Sequence, residues 1–164
     1  MSIKRTLILI TLLIIGGVLT CGWLLQLEHK KFELKIISLG DSTNSPACLQ
    51  MFNIIERKSV EYKIPKYILY NVAWLETRYQ GPFDWKYNPK LTSIANAYGA
   101  MQIQVPTANS FSDKKVTRLD LLNDLELNVN LSMRILSYLK KKHGDWKLAL
   151  GAYNTGKPII NQYA

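Results

Sequence analysis

The placement of proline and glycine is the feature that most constrains what this chain builds. From Cys48 onward, apolar residues recur at helical spacing. The recurrence is cut at Ile64-Pro65, at Gly81-Pro82, at Gly144, and at Gly156 with Pro158. Proline cannot sit in a helix interior without losing a hydrogen bond, and glycine readily takes the left-handed backbone that closes a helix. The cuts predict helices over residues 49–62, 65–79, 101–111, 121–142 and 146–153. Pro65 and Pro106 fall near helix starts, where a missing N–H costs nothing, and Gly144 falls at a C-cap. Met51, Phe52, Ile54 and Ile55 supply the apolar surface of the first helix, and Leu127, Leu131, Ile135, Tyr138 and Leu139 that of the long one. Residues 80–93, with Phe83, Trp85, Tyr87 and Asn88-Pro89, read as an irregular excursion. The fold class is mainly α, with one domain at residues 48–164 that is large enough for a single core.

Ahead of this domain lies a different kind of segment. After Lys4 and Arg5, residues 6–27 form a 22-residue run without charge. As a helix, rising about 1.5 Å per residue, it is long enough to cross a bilayer core of about 30 Å. A cleaved signal has a shorter apolar region and a small-x-small cleavage site, so the favoured reading is an uncleaved transmembrane signal anchor at residues 1–27. A cleaved signal is the second reading. A lipoprotein is the third, because Val18, Leu19 and Thr20 precede Cys21. Flanking lysines do not decide orientation by charge alone, but a short N-terminal tail ordinarily stays inside. The domain is then expected on the periplasmic or extracellular side of the membrane. Residues 28–47, polar and ending in GDSTNSPA, read as a linker.

The 21 Lys and Arg against 12 Asp and Glu give a formal net charge of +9. That favours a solvated basic surface first and an acidic cell-wall polymer second. The basic residues are scattered and no zinc-finger or RNA-binding signature is present, so nucleic acid is not expected as a partner. Cys21 and Cys48 make neither a disulfide framework nor a metal-ligand spacing.

Three stretches carry chemistry. In NVAWLETRY, Glu76 lies four residues past Val72 and eight past Ile68, close to the apolar face of its helix. Burial there, with the negative helix end nearby, raises a carboxyl pKa and favours a proton donor near neutral pH. The bland alternative is an acid at the edge of the stripe that reaches water. In NAYGAMQIQVPTA, Gly99 permits close backbone approach, Gln102 carries an amide suited to sugar hydroxyls or N-acetyl groups, and Met101 offers apolar surface. In GDWKLALGAYNTG, Tyr153 and Asn154 fall near the end of the last helix. Taken singly, each of these is a core or turn residue as readily as a site residue.

Together and in this order, the three blocks resemble the catalytic domain of the soluble lytic transglycosylase family. That family shows Glu-Ser at a helix end, then Gly-Leu-Met-Gln-Ile-x-Pro-x-Thr-Ala, then Gly-Asp-x-x-x-Ala-Leu-x-Ala-Tyr-Asn-Ala-Gly. Here Glu76-Thr77, GAMQIQVPTA and GDWKLALGAYNTG stand in those places, and residues 128–139 loosely fit its Asn-x-x-x-Gly-x-x-Tyr-Leu helix. The resemblance covers residues 48–164. It implies a lysozyme-like helical fold with a groove, in which Glu76 is catalytic acid and then base. It also implies that Met101 and Gln102 line the glycan groove, that Tyr153 bonds near the reacting sugar with Asn154 in support, and that Ser93, from the YNPKLTS segment, assists. The implied partner is peptidoglycan glycan strands, and no cofactor and no metal is implied. The N-terminal helix adds the membrane as a partner, and an envelope-spanning assembly is a further candidate. Thr77 replaces the family's serine, Ala100 its leucine and Thr155 its alanine. Extra residues between Glu76 and Asn88, including Asp84 and Trp85, either extend the groove or cross the surface.

The implied reaction cleaves between N-acetylmuramic acid and N-acetylglucosamine and closes a 1,6-anhydro ring with one carboxylate. A hydrolysing muramidase ordinarily uses a second acid, and Asp84 is the only one between Glu76 and Gly99. An inactive murein-binding scaffold is the third reading.

Overall fold

The computed structural model describes residues 20–32, 34–35 and 44–163. The chain divides into two compact units, Met1–Ser38 and Leu39–Ala164. In the first unit, residues 20–32 and 34–35 are helical, so part of the segment read as linker is helix. Trp23, Leu24 and Leu25 are exposed there. Residues 6–19 of the expected membrane span lie outside the described residues, and among the described residues no helix is long and apolar enough to cross a membrane.

The second unit is mainly helical. Its elements are α1 (Ala47–Tyr62), α2 (Lys66–Thr77), β1 (Ala97–Tyr98), β2 (Ile103–Gln104), α3 (Val105–Ser110), α4 (Arg118–Asn123), α5 (Leu125–His143) and α6 (Trp146–Thr155). The helix α1 closes on Lys63, in left-handed conformation at φ 52°, and Pro65 then stands at the N-cap of α2. Closure of α2 comes earlier than Gly81-Pro82 suggests. Arg78 adopts φ 60° and its N–H bonds the Trp74 carbonyl, while Gly81 is left to a later turn. Gly144 and Gly156 close α5 and α6 in the left-handed region that glycine enters without strain.

Two departures from the sequence reading follow from polar side chains. The helix expected over residues 121–142 is two helices. Thr117 and Asp120 form a reciprocal capping box that starts α4, and the Asp124 carboxylate accepts from the Leu127 N–H to start α5. The block from Met101 onward is not helical at its start. It belongs to an antiparallel hairpin pairing Ala97 with Gln104 and Tyr98 with Ile103. Gly99 at φ 81° and Gln102 at φ 47° turn the chain between the strands, and α3 begins only at Val105.

The core is built around α5, which packs against both α1 and α6. Met51 and Ile55 of α1, Leu69 and Val72 of α2, and Val129, Leu131, Met133 and Leu136 of α5 are buried in it. Among them sits a polar side chain, Asn128, which is wholly buried. Its Oδ1 accepts from the Met101 N–H at 2.9 Å, and its Nδ2 donates to the carbonyls of Tyr98 at 2.8 Å and Leu121 at 3.0 Å. A methyl group on Gly99 would collide with this same amide and with the Leu121 carbonyl. Gly99 therefore serves close approach within the protein, where the sequence suggested approach to a ligand.

Replacing Asn128 by Ala removes three hydrogen bonds to backbone groups, two of them buried, at about 1–3 kcal/mol for each buried group left without its partner. The expected loss for Asn128→Ala is at least about 2 kcal/mol, read as a lower urea midpoint at unchanged slope. Gly99→Ala is expected to lower the midpoint as well, through both the collision and the positive φ.

Candidate active site

Helix α2 buries Ile68, Leu69, Val72 and Ala73. Glu76 continues the Ile68–Val72 face into the last turn and opens into a cavity of about 540 Å³. It is only partly accessible, and its Oε1 accepts a hydrogen bond from the Tyr163 hydroxyl at 3.0 Å. Burial pushes the carboxyl from the ordinary 4.5 to about 7, against a smaller downward pull from that hydrogen bond. The free carbonyls of the helix end oppose a negative charge as well. Among the described residues no Lys, Arg or His forms an ion pair with it. These conditions hold a proton on a carboxylic acid near neutral pH.

The neighbouring hydroxyl fixes where the acid stands. Thr77 is buried, and its Oγ1 donates to the Ala100 carbonyl at 2.9 Å, with the Ala73 carbonyl at 3.3 Å and the Tyr87 hydroxyl at 3.1 Å. One side chain thus ties the end of α2 to the hairpin turn and to the returning end of the 80–87 loop. Tyr87 packs on Tyr79, ring centroids 4.8 Å apart, and Tyr79 donates to the Cys48 carbonyl at 2.8 Å. No residue from 77 to 92 lines the cavity. Asp84 is therefore off the wall, and the excursion braces the Glu76 helix.

Glu76 shares the cavity with Ser93, Gln102, Tyr153 and Asn154. The Ser93 Oγ accepts from the Ala97 N–H at 3.2 Å, which leaves its own proton to give. The Gln102 amide nitrogen donates to the carbonyls of Gly99 at 2.8 Å and Leu91 at 3.0 Å, so its oxygen is the atom turned to chemistry. Tyr153 donates to the Met101 carbonyl at 2.7 Å, and burial holds its phenol well above the usual range. A phenol so engaged meets a ligand as an acceptor. The Asn154 Oδ1 accepts from Asn161 at 3.2 Å.

Gly99 and Met101 are not brought to the cavity wall. Met101 is fully buried, and only its backbone carbonyl serves the site, through Tyr153. The methionine fills the core beneath the groove rather than facing a sugar.

Sequence reasoning missed Tyr163. It lies beyond the last motif, and the tail after α6 carries it back to Glu76. The Ile159 backbone lies where a side chain at position 151 would stand, which requires Gly151, and Asn71 donates to the Tyr163 carbonyl at 3.5 Å. Also missed were Gln104, Thr107 and Phe111, which line the cavity, together with Ile135, Tyr138 and Leu139, which the helical repeat assigned to the core. Among the described residues, no group of three His, Cys, Asp or Glu is placed to hold a metal ion.

The family model for the transglycosylase SLT domain matches residues 53–164, and the chain belongs to that family. It is 32% identical over 72 residues to the membrane-bound lytic murein transglycosylase D of Escherichia coli strain K12, and equally so to that of Escherichia coli O6:H1. The match takes in 43% of this chain and spans 16% of the length of those relatives.

The raised acid has a consequence for stability. Between pH of about 4.5 and about 7 the folded chain keeps a proton that the unfolded chain has lost, so stability falls as pH rises through that window. Glu76→Gln, which cannot ionise, should gain up to about 3 kcal/mol over wild type at pH 8 and little at pH 4. Thermal melts of both proteins at the two pH values test this, and equal shifts at both would contradict it.

Proposed function

We propose that residues 48–164 act as a murein lytic transglycosylase, cleaving the β-1,4 bond between N-acetylmuramic acid and N-acetylglucosamine. One observation carries the reading: Glu76 is the only carboxylate among the described residues lining the cavity, and its pKa of about 7 suits it to give and then take a proton. Protonated Glu76 donates to the glycosidic oxygen as the bond to C1 breaks. The substrate's own N-acetyl carbonyl stabilises the cation at C1, as in other substrate-assisted glycosidases. The Glu76 carboxylate then removes the proton of the C6 hydroxyl, and that oxygen closes on C1. The proton returns to Glu76 and no water is consumed.

The neighbours have matching tasks. The Tyr163 hydroxyl supports the carboxylate in the interval when it is charged. Ser93 gives a proton toward the substrate, while Gln102 and Tyr153 offer oxygens to sugar N–H and O–H groups, and Asn154 holds the tail that delivers Tyr163. A hydrolase would need a second acid to steer water, and Asp84 does not line this cavity. Residues 6–27 would hold the protein to a membrane as a single-pass anchor, with the domain on the wall side. The exposed Trp23, Leu24 and Leu25 and the membrane-bound relatives support that placement. An envelope assembly around it is part of the same reading.

Digestion of purified peptidoglycan followed by mass spectrometry is the test. Products ending in 1,6-anhydro-N-acetylmuramic acid are expected. Reducing-end products, heavier by one water, would instead identify a muramidase, and binding without product would identify a scaffold. Glu76→Gln should lose at least about a hundredfold in rate. Wild-type rate should fall as pH rises through about 7, where the donor loses its proton.

A further inference from the structure

The cavity wall has an apolar part that the proposed chemistry does not use. Phe111, Ile135, Tyr138 and Leu139 form it. On α5, Leu131 and Ile135 are buried, at 1% and 5% exposure, but Tyr138 is 48% exposed. The ring is nevertheless held. Phe111 packs edge-on against it, with centroids 5.4 Å apart and planes at 66°. Phe111 is itself secured by Arg134, whose guanidinium donates to the Phe111 carbonyl at 3.1 Å and pairs with Asp113 at 3.3 Å. Lys142, one turn along α5, brings its ammonium to 5.7 Å from the Tyr138 ring centre. Among the described residues no carboxylate pairs with Lys142.

Lys142 holds its ammonium over one side of the Tyr138 ring and is not itself in the cavity lining. The part of this pre-oriented, half-exposed ring that lines the cavity matches the face of a pyranose, whose C–H groups carry slight positive charge toward a negative π face. An ammonium at the cavity's margin, with no carboxylate partner among the described residues, matches an anion on the same saccharide. We propose that Tyr138 is a sugar-stacking platform and that Lys142 selects a saccharide unit bearing a carboxylate at that position. This rests on reading the cavity as a murein groove. It assigns the substrate there as an N-acetylated glycan with anionic substituents, against a neutral N-acetylglucosamine polymer. The carboxylate belongs either to the stem peptide or to the lactyl group of a peptide-free strand.

The test uses the full chain in detergent, with murein strands in three forms: intact, stripped of stem peptides by an amidase, and with all carboxylates converted to amides. Tyr138→Ala should raise KM about tenfold with kcat within about twofold, and Tyr138→Phe should keep both near wild type. Lys142→Met should raise KM severalfold on strands with free carboxylates and leave it unchanged on the amidated strands. A Lys142 effect that appears only on stripped strands identifies the lactyl carboxylate, which the peptide bond masks in intact murein, and an effect on intact strands that is lost on stripping identifies the stem peptide. A wild-type KM in Tyr138→Ala, or a Lys142 effect equal on all three forms, would overturn the proposal. Cosedimentation with insoluble murein reads the same variants without turnover. A wild type that binds but releases nothing would then count against the proposed chemistry, while a Tyr138→Ala variant that binds as well as wild type would count against the platform.

Discussion

Three hydrogen bonds from one buried amide organise this domain. Asn128 holds the Tyr98 carbonyl, the Met101 N–H and the Leu121 carbonyl together inside a mainly apolar core. The amide has an acceptor and two donors, and both kinds meet backbone groups, two of the three contacts being buried. The hairpin turn is thereby clamped to the start of α5 and the end of α4. The turn in turn presents the Ala100 carbonyl to Thr77 and the Met101 carbonyl to Tyr153. Glu76 is located by this chain of contacts, and its exact setting depends on a residue that never touches the cavity. A fully satisfied polar cluster specifies one arrangement where packing alone would tolerate several.

The acid itself is a balance between opposing demands. Burial favours the protonated form, and the hydrogen bond from Tyr163 favours the ionised one. With burial alone the acid would keep its proton too firmly to give it up, and with solvent and strong donors it would ionise at an ordinary carboxyl value. The balance near neutrality comes from a helix that carries Glu76 on its buried face and from a tail that supplies a single neutral donor. Burial first, and then the neighbouring Glu76, push the Tyr163 phenol up to about 12.

Much of the helical frame was legible in the sequence, because proline and glycine mark boundaries locally. Glu76 stands out as an acid four and eight residues past apolar positions, but that spacing alone fits an acid at the edge of the stripe, and it is the GAMQIQVPTA and GAYNTG blocks downstream that single it out. The hairpin was not legible. Its strands have two residues each, too short for alternation to register, and Met101-Gln-Ile reads as the start of an apolar helix. The split at Asp124 was signalled by Thr117-x-x-Asp120 and by Asp124 itself, but the strong apolar repeat across it concealed the break. Met101 and Tyr138 show the same ambiguity in opposite directions. Periodicity assigns a residue to a face, and only the packed structure shows that Met101 faces the core and Tyr138 the cavity. Tyr163 left no local signal, because its role arises from where the tail ends in space.

The 80–87 loop leaves the end of α2 and comes back as Tyr87 against Thr77, one residue from the acid. It therefore behaves as a closed strap fastened at both ends of a single joint. Changes in the strap's middle, where Phe83 and Trp85 are exposed, leave the joint intact, so that stretch is free to diverge in sequence and acquire surface functions of its own. A change in strap length that displaces Tyr87 would reach Glu76 without altering one atom of the cavity wall. Drift in a loop off the cavity would then shift the pH at which the Glu76 carboxyl titrates.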